Sequence, residues 1–252
     1  MDLTSNNPRV LGRLLEELSW VGNTIKDYRE GGRGFENVLT AEVLQSLDFL
    51  PRQSFLGSIV EVSQGAIESR KKLREEIEQA EFTLLPGNFY LIPSAKLHRN
   101  GLAVQPDGII QTPSNFVVIE AKRIKKSSFQ KEQLAREFVL VMKEAFLRNR
   151  QPILWLILGS EPPVSVLGHG KLTPVDAIEL HLESVLQRAE NHDFNKSVLL
   201  EKAHEVVCWT TWKTISNVVS EKFSSLYIPD ASVKACVQRL VNSIVESIEW
   251  HS

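Results

Sequence analysis

Between Ala103 and Lys122, in AVQPDGIIQTPSNFVVIEAK, two acids and a lysine stand at spacings suited to phosphate chemistry. The stretch reads as a β-hairpin, with strands at Leu102–Gln111 and Phe116–Lys122 and a turn at Pro113-Ser114. A turn centred there pairs residues whose numbers sum to about 227, which sets Asp107 opposite Glu120 on one face, Cβ atoms about 5 Å apart. Alternation along the second strand puts Glu120 and Lys122 on one face and Ile119 and Ala121 on the other. Facing carboxylates repel, and a divalent cation between them relieves the repulsion. One or two carboxylates completed by water and substrate phosphate describe a Mg²⁺ site. Lys122 beside it is placed to orient or deprotonate a water, or to stabilise charge on a phosphate. The bland alternative is a charged strand end fraying into solvent. Against it, Val117-Val118-Ile119 is apolar on both faces, so the strand is expected to be sheltered, where unpaired charge is costly.

Pro106-Asp107 followed by Glu120-Ala121-Lys122 resembles the PD-(D/E)xK nuclease superfamily, and the likeness takes in the flanking helices over about Phe35 to Leu158. The resemblance implies a restriction endonuclease-like α/β fold, a mixed β-sheet flanked by helices, here with N-terminal helical additions. It implies Mg²⁺-dependent hydrolysis of DNA phosphodiester bonds, with Mn²⁺ able to substitute, in a prokaryotic or phage restriction or defence nuclease. Asp107 and Glu120 would hold the ion, and the backbone carbonyl of Ala121 would be a further ligand. Many members carry a glutamate on the helix before the sheet, and Glu36 in Gly-x-x-Phe-Glu-Asn matches that placement, with Glu42 as fallback. Glu36 has an ordinary reading too, as a first-turn acid that complements the helix dipole. Gln133, on the helix after the second hairpin strand, would point towards the site or the DNA; its ordinary reading is a good helix former on the surface.

The chain has 252 residues, 42% hydrophobic and 24% charged, the composition of a globular protein. The formal net charge of -2 gives no global basic signature, so a nucleic-acid partner needs a local basic surface, for which Arg123, Lys125 and Lys126 are candidates. Cys208 and Cys236 lack metal-ligand spacing and read as reduced thiols in a cytoplasmic protein. No apolar run reaches membrane-spanning length, and the first residues lack a signal-peptide pattern.

The elements that must position the hairpin follow from periodicity. One domain is expected over 1–252: an N-terminal helix in 1–34, a catalytic core in 35–160 and completing elements in 161–252. Asn7-Pro8 starts the first helix, which ends near Gly31-Gly32. Helices are expected at Phe35–Phe49, from about Ser54 to Ala80, and from about Ser128 to Arg148. The polar part of the second, ESRKKLREEIEQ, reads as a solvated face laced with ion pairs; its basic residues touching a phosphate backbone is the alternative. Short strands flank Pro86-Gly87-Asn88, and His98 reads as a turn residue, outside the site. The apolar run 153–158 reads as a central strand, closing a βαβ unit with the second hairpin strand. Residues 159–173 read as a loop near the substrate. Helices near 174–190 and 194–203, a strand at 205–210, a helix through Trp212 and a last helix at 231–250 follow. The last helix is amphipathic and either closes the core or forms a dimer contact. A non-catalytic nucleic-acid-binding or scaffold protein with the same fold, and a subunit that works only with a protein partner, remain alternatives.

Overall fold

The computed structural model describes residues 35–91, 102–125, 127–189 and 195–252. The expected N-terminal helix, His98 and Lys126 lie outside the described residues.

The hairpin forms in the expected register. Strands β5 (Gly108–Gln111) and β6 (Asn115–Ala121) pair antiparallel, with Gly108 opposite Ile119 and Gln111 opposite Phe116. The turn closes with Thr112 N–H donating to the Asn115 carbonyl at 3.0 Å. Glu76 clamps it from outside. Its carboxylate accepts from the Thr112 hydroxyl at 2.6 Å, the Ser114 N–H at 2.9 Å and the Ser114 hydroxyl at 2.6 Å. Burial works against ionisation of Glu76, but these bonds, with Lys72 nearby, hold its carboxyl below the usual range.

The first hairpin strand is not continuous over Leu102–Gln111. Pro106 has no N–H to give a ladder, and the chain leaves the sheet at Gln105-Pro106-Asp107. Upstream, β4 (Ala103–Val104) pairs with β3 (Phe89–Tyr90) in a separate ribbon. The other strand near Pro86-Gly87, β2 (Glu81–Leu84), joins β5 instead of β3.

Strand β7 (Gln151–Leu158) lies parallel to β6, and β10 (Val207–Thr211) parallel to β7. The edge strand β1 (Gln64–Gly65) runs antiparallel to β10, giving the mixed order β1-β10-β7-β6-β5-β2. The expected βαβ unit is therefore present, with α4 (Gln133–Leu147) between β6 and β7. Both central strands bury both faces. Ile153, Trp155 and Ile157 face one apolar cluster, and Leu154, Leu156 and Leu158 face the other. The first cluster is built with α1 (Phe35–Phe49), α2 (Leu56–Val62), α3 (Ile67–Glu75), α7 (Trp212–Ser225) and α8 (Ala231–Trp250). The second uses α4, α5 (Pro174–Arg188) and α6 (Lys196–Val206). The molecule is thus a helix–sheet–helix sandwich of the α/β class. The last helix closes the core, burying Val237, Val241, Ile244 and Ile248.

Four further expectations are corrected. The single helix proposed over Ser54 to Ala80 is α2, β1, α3 and a short 3₁₀ turn at Ile77–Gln79. Gly65 (φ 82°) and Ala66 (φ 44°) break it, and a Cβ at Gly65 would lie 2.2 Å from the Val207 carbonyl oxygen. In that segment Arg70 is committed to the carbonyls of Val60, Glu61 and Gly65, tying α3 to the end of α2. Helix α4 starts at Gln133, not Ser128, and Phe146 is exposed while Phe129 packs outside the helix. The loop at 159–173 contains a hairpin, β8 (Val164–Val166) with β9 (Gly170–Leu172). Finally, Glu205 and Val206 belong to α6, and the strand begins at Val207.

Candidate active site

The site sits where β6 runs out. Val117, Ile119 and Ala121 point into the first core cluster, so Glu120 and Lys122 emerge on the opposite side, beneath α4. The strand end is pinned twice. Lys122 N–H donates to the Ile157 carbonyl at 2.8 Å, and the Trp212 indole N–H donates to the Lys122 carbonyl at 2.7 Å. Across the hairpin, Asp107 N–H donates to the Ile119 carbonyl at 3.1 Å, and Asp107 Oδ2 accepts from Ala121 N–H at 2.7 Å. Ala121 therefore touches the site through its N–H.

Asp107, Glu120, Lys122 and Gln133 line one cavity of about 170 Å³, together with Asn37 and Pro106. The three motif side chains are far from fraying into solvent: Asp107 is 8% exposed, Glu120 2% and Lys122 7%. Lys122 Nζ donates to Glu120 Oε1 at 2.5 Å and lies 5.0 Å from the centroid of the Phe129 ring. The Gln133 side-chain amide donates to the same carboxylate oxygen. Gln133 thus points inward from the first turn of α4.

Glu137 is the residue that motif reading passed over. It is one turn beyond Gln133 on α4, on the same side of the helix, and only 1% exposed. Glu120 and Gln133 are its polar neighbours, and among the described residues its Oε2 has no hydrogen-bond partner. Burial, then the charge of Glu120, push its carboxyl well above the usual carboxylate range, and Lys122 pulls the other way. Burial thus favours the neutral form of Glu137, beside the Glu120 carboxyl that Lys122 and Gln133 hold. The available signal was an acid one helical turn from Gln133 among the apolar residues of LAREFVLVM.

The first turn of α1 reaches the site through Asn37. The Glu36 side chain lies outside the described residues. Its fallback, Glu42, accepts from the Ser247 hydroxyl at 3.0 Å, which places it against α8 and away from the cavity lining.

Among the described residues no three His, Cys, Asp or Glu side chains are grouped to hold a metal ion. The donor set is two carboxylates on a polar cavity. A carboxylate has about four lone-pair sites, so Glu120, which accepts from Lys122 and Gln133, keeps acceptor capacity. Two hard oxygen donors fit a Mg²⁺-type ion that keeps most of its water, and do not fit a closed site of protein ligands.

Comparisons with family models, with curated proteins and with solved structures return no match for this chain.

Proposed function

We propose that the protein hydrolyses phosphodiester bonds in DNA with a divalent cation, in the manner of PD-(D/E)xK nucleases. The observation that carries the proposal is the convergence of Asp107, Glu120, Lys122 and Gln133 on one cavity at the end of a buried strand. Asp107 and Glu120 would hold Mg²⁺ or Mn²⁺, and Glu36 belongs to the same proposal as a further donor. The cation would lower the pKa of an attacking water and offset charge on the phosphate. The chain's own groups do the rest. Ala121 N–H fixes the Asp107 carboxylate. Gln133 and Lys122 orient Glu120 from two sides. When a phosphate enters, Lys122 is the cation on the cavity wall able to leave Glu120 and meet developing charge. The buried Phe129 ring, 5.0 Å from the Lys122 amine, covers that charge on its other side and limits screening by bulk water.

A second reading has its own observation. The Lys122–Glu120 bond is closed and largely buried, as in a structural polar network on a non-catalytic nucleic-acid-binding protein. The two readings part in a cleavage assay with Mg²⁺ and Mn²⁺ on single-stranded, duplex and nicked DNA. The informative variant is Asp107→Asn, whose amide oxygen can still accept from Ala121 N–H. Cleavage by the wild type, reduced at least about 100-fold in the variant, supports hydrolysis. Equal cleavage by both, or none by either with DNA binding retained, favours the network.

A further inference from the structure

Lys122 stands on the wall between two cavities. Behind the acidic one lies a second, of about 290 Å³, between the chain following Lys122 and the β8–β9 hairpin. Its floor is apolar, from Phe129, Leu158 and Val164. Its polar lining is Lys122, Lys171, Ser127, Ser160 and Ser165, with Glu161 the one acid among its lining residues.

The walls are built by backbone. Phe129 N–H donates to the Ser165 carbonyl, and Leu167 N–H to the Phe129 carbonyl, each at 2.9 Å, so the hairpin is laced to the segment that carries the floor. On the other side the chain after Lys122 presses on Gly159. A Cβ there would lie 2.3 Å from the Ile124 carbonyl oxygen and 2.5 Å from that of Arg123. Only glycine permits that approach, which sets the cavity directly beside Lys122.

The two cavities differ in charge. Asp107 and Glu120 repel a phosphate unless a cation intervenes, whereas the second cavity offers ammonium and hydroxyl groups over an apolar floor. That combination suits one phosphate with its attached sugar or base. The volume lies at the small end of ligand sites, about 300 Å³, enough for one nucleotide.

We propose that this cavity is the subsite for the nucleotide adjoining the scissile phosphate, on a single strand. Lys171 and the hydroxyls of Ser160 and Ser165 take the adjoining phosphate, while the Ser127 hydroxyl is held by the Arg123 carbonyl at 3.1 Å; the sugar or base lies on the Phe129–Leu158–Val164 floor. A duplex keeps its bases stacked inside, whereas a single strand can place one nucleotide in a pocket. The proposal rests on the hydrolase reading and adds a substrate class to it.

The test uses the full chain and a fluorescent single-stranded oligonucleotide, with binding followed by anisotropy over a salt series without divalent metal. Two variants are compared with the wild type: Lys171→Gln, at an exposed position, and Ser160→Trp, which puts a large ring at a residue of the cavity lining. Circular dichroism first establishes that both are folded. Lys171→Gln is expected to weaken binding roughly fivefold and to reduce the slope of log K against log salt by about 0.7. Ser160→Trp is expected to weaken binding at least as much, and the pair together no more than the worse single variant. Unchanged affinity and slope in Lys171→Gln overturns the subsite. A parallel cleavage assay separates this from the parent reading. Wild-type cleavage with unchanged KM in both variants removes the subsite and keeps the hydrolase. Weakened binding in both variants without wild-type cleavage keeps a nucleotide site and removes the hydrolase.

Discussion

Lys122 and Glu120 are held in one buried contact at 2.5 Å. Taking both charges out of water is expensive, and removing one partner leaves the other uncompensated. Lys122→Ala is therefore expected to cost about 3–5 kcal/mol of stability, read from the urea midpoint. A loss under about 1 kcal/mol would mean that Gln133 and water satisfy Glu120 unaided. Activity loss in this variant must be scored on folded protein, which is why Asp107→Asn is the cleaner catalytic probe. Glu137 makes a prediction with a definite sign. Its folded-state carboxyl is raised, so its contribution is fully present below the unfolded pKa and is lost as pH rises through the folded value. Glu137→Gln, which stays neutral, should match the wild type's pH dependence in acid and progressively gain on it as pH rises. Parallel pH profiles for the two proteins would show that Glu137 is ionised in the fold.

At the scale of elements, the hairpin depends on a residue distant in sequence. Glu76 satisfies three donors of the 112–114 turn and sits on the segment after α3. Glu76→Gln keeps the shape and loses the charge, and is expected to cost roughly 1–2 kcal/mol at neutral pH, since the site is partly exposed. The wild-type carboxyl is depressed, so its contribution is present above the unfolded pKa and disappears as pH falls through the folded value. The difference between the two proteins should therefore shrink in acid. A constant difference across the acid range would assign the loss to shape and not to charge. The register itself is doubly fixed, because a one-residue slip would drive Glu120 and Lys122 into the first core cluster.

On the scale of the whole molecule, the segments 35–160 and 161–252 do not separate cleanly. Strand β10 lies in the central sheet against β7, and α7 and α8 cover the first core cluster. Trp212 reaches across to cap the strand end at Lys122. Truncation after residue 160 would open the β7 edge and expose both apolar clusters. The truncated chain is expected to show no cooperative thermal transition, and a sharp one would prove 35–160 self-sufficient. No described helix is long and apolar enough to cross a membrane.

What the sequence determined by itself was local. The turn chemistry at Pro113-Ser114 and the apolar run 117–119 set a hairpin register that brings Asp107 to Glu120, and the run 153–158 defined a doubly covered strand. These follow from steric and period-2 rules that act over a few residues. The break at Pro106 was legible in principle, since proline cannot donate to a ladder, yet the apolar residues on either side of it suggested one strand. Tertiary structure alone decided the rest. Gly65 bends because the Val207 carbonyl lies against it, the 159–173 segment becomes a hairpin because Phe129 gives it a partner, and Glu137 is buried because α4 lies over the end of β6. Each depends on a contact between separate segments, and side-chain periodicity marks a buried face without saying which segment lies against it.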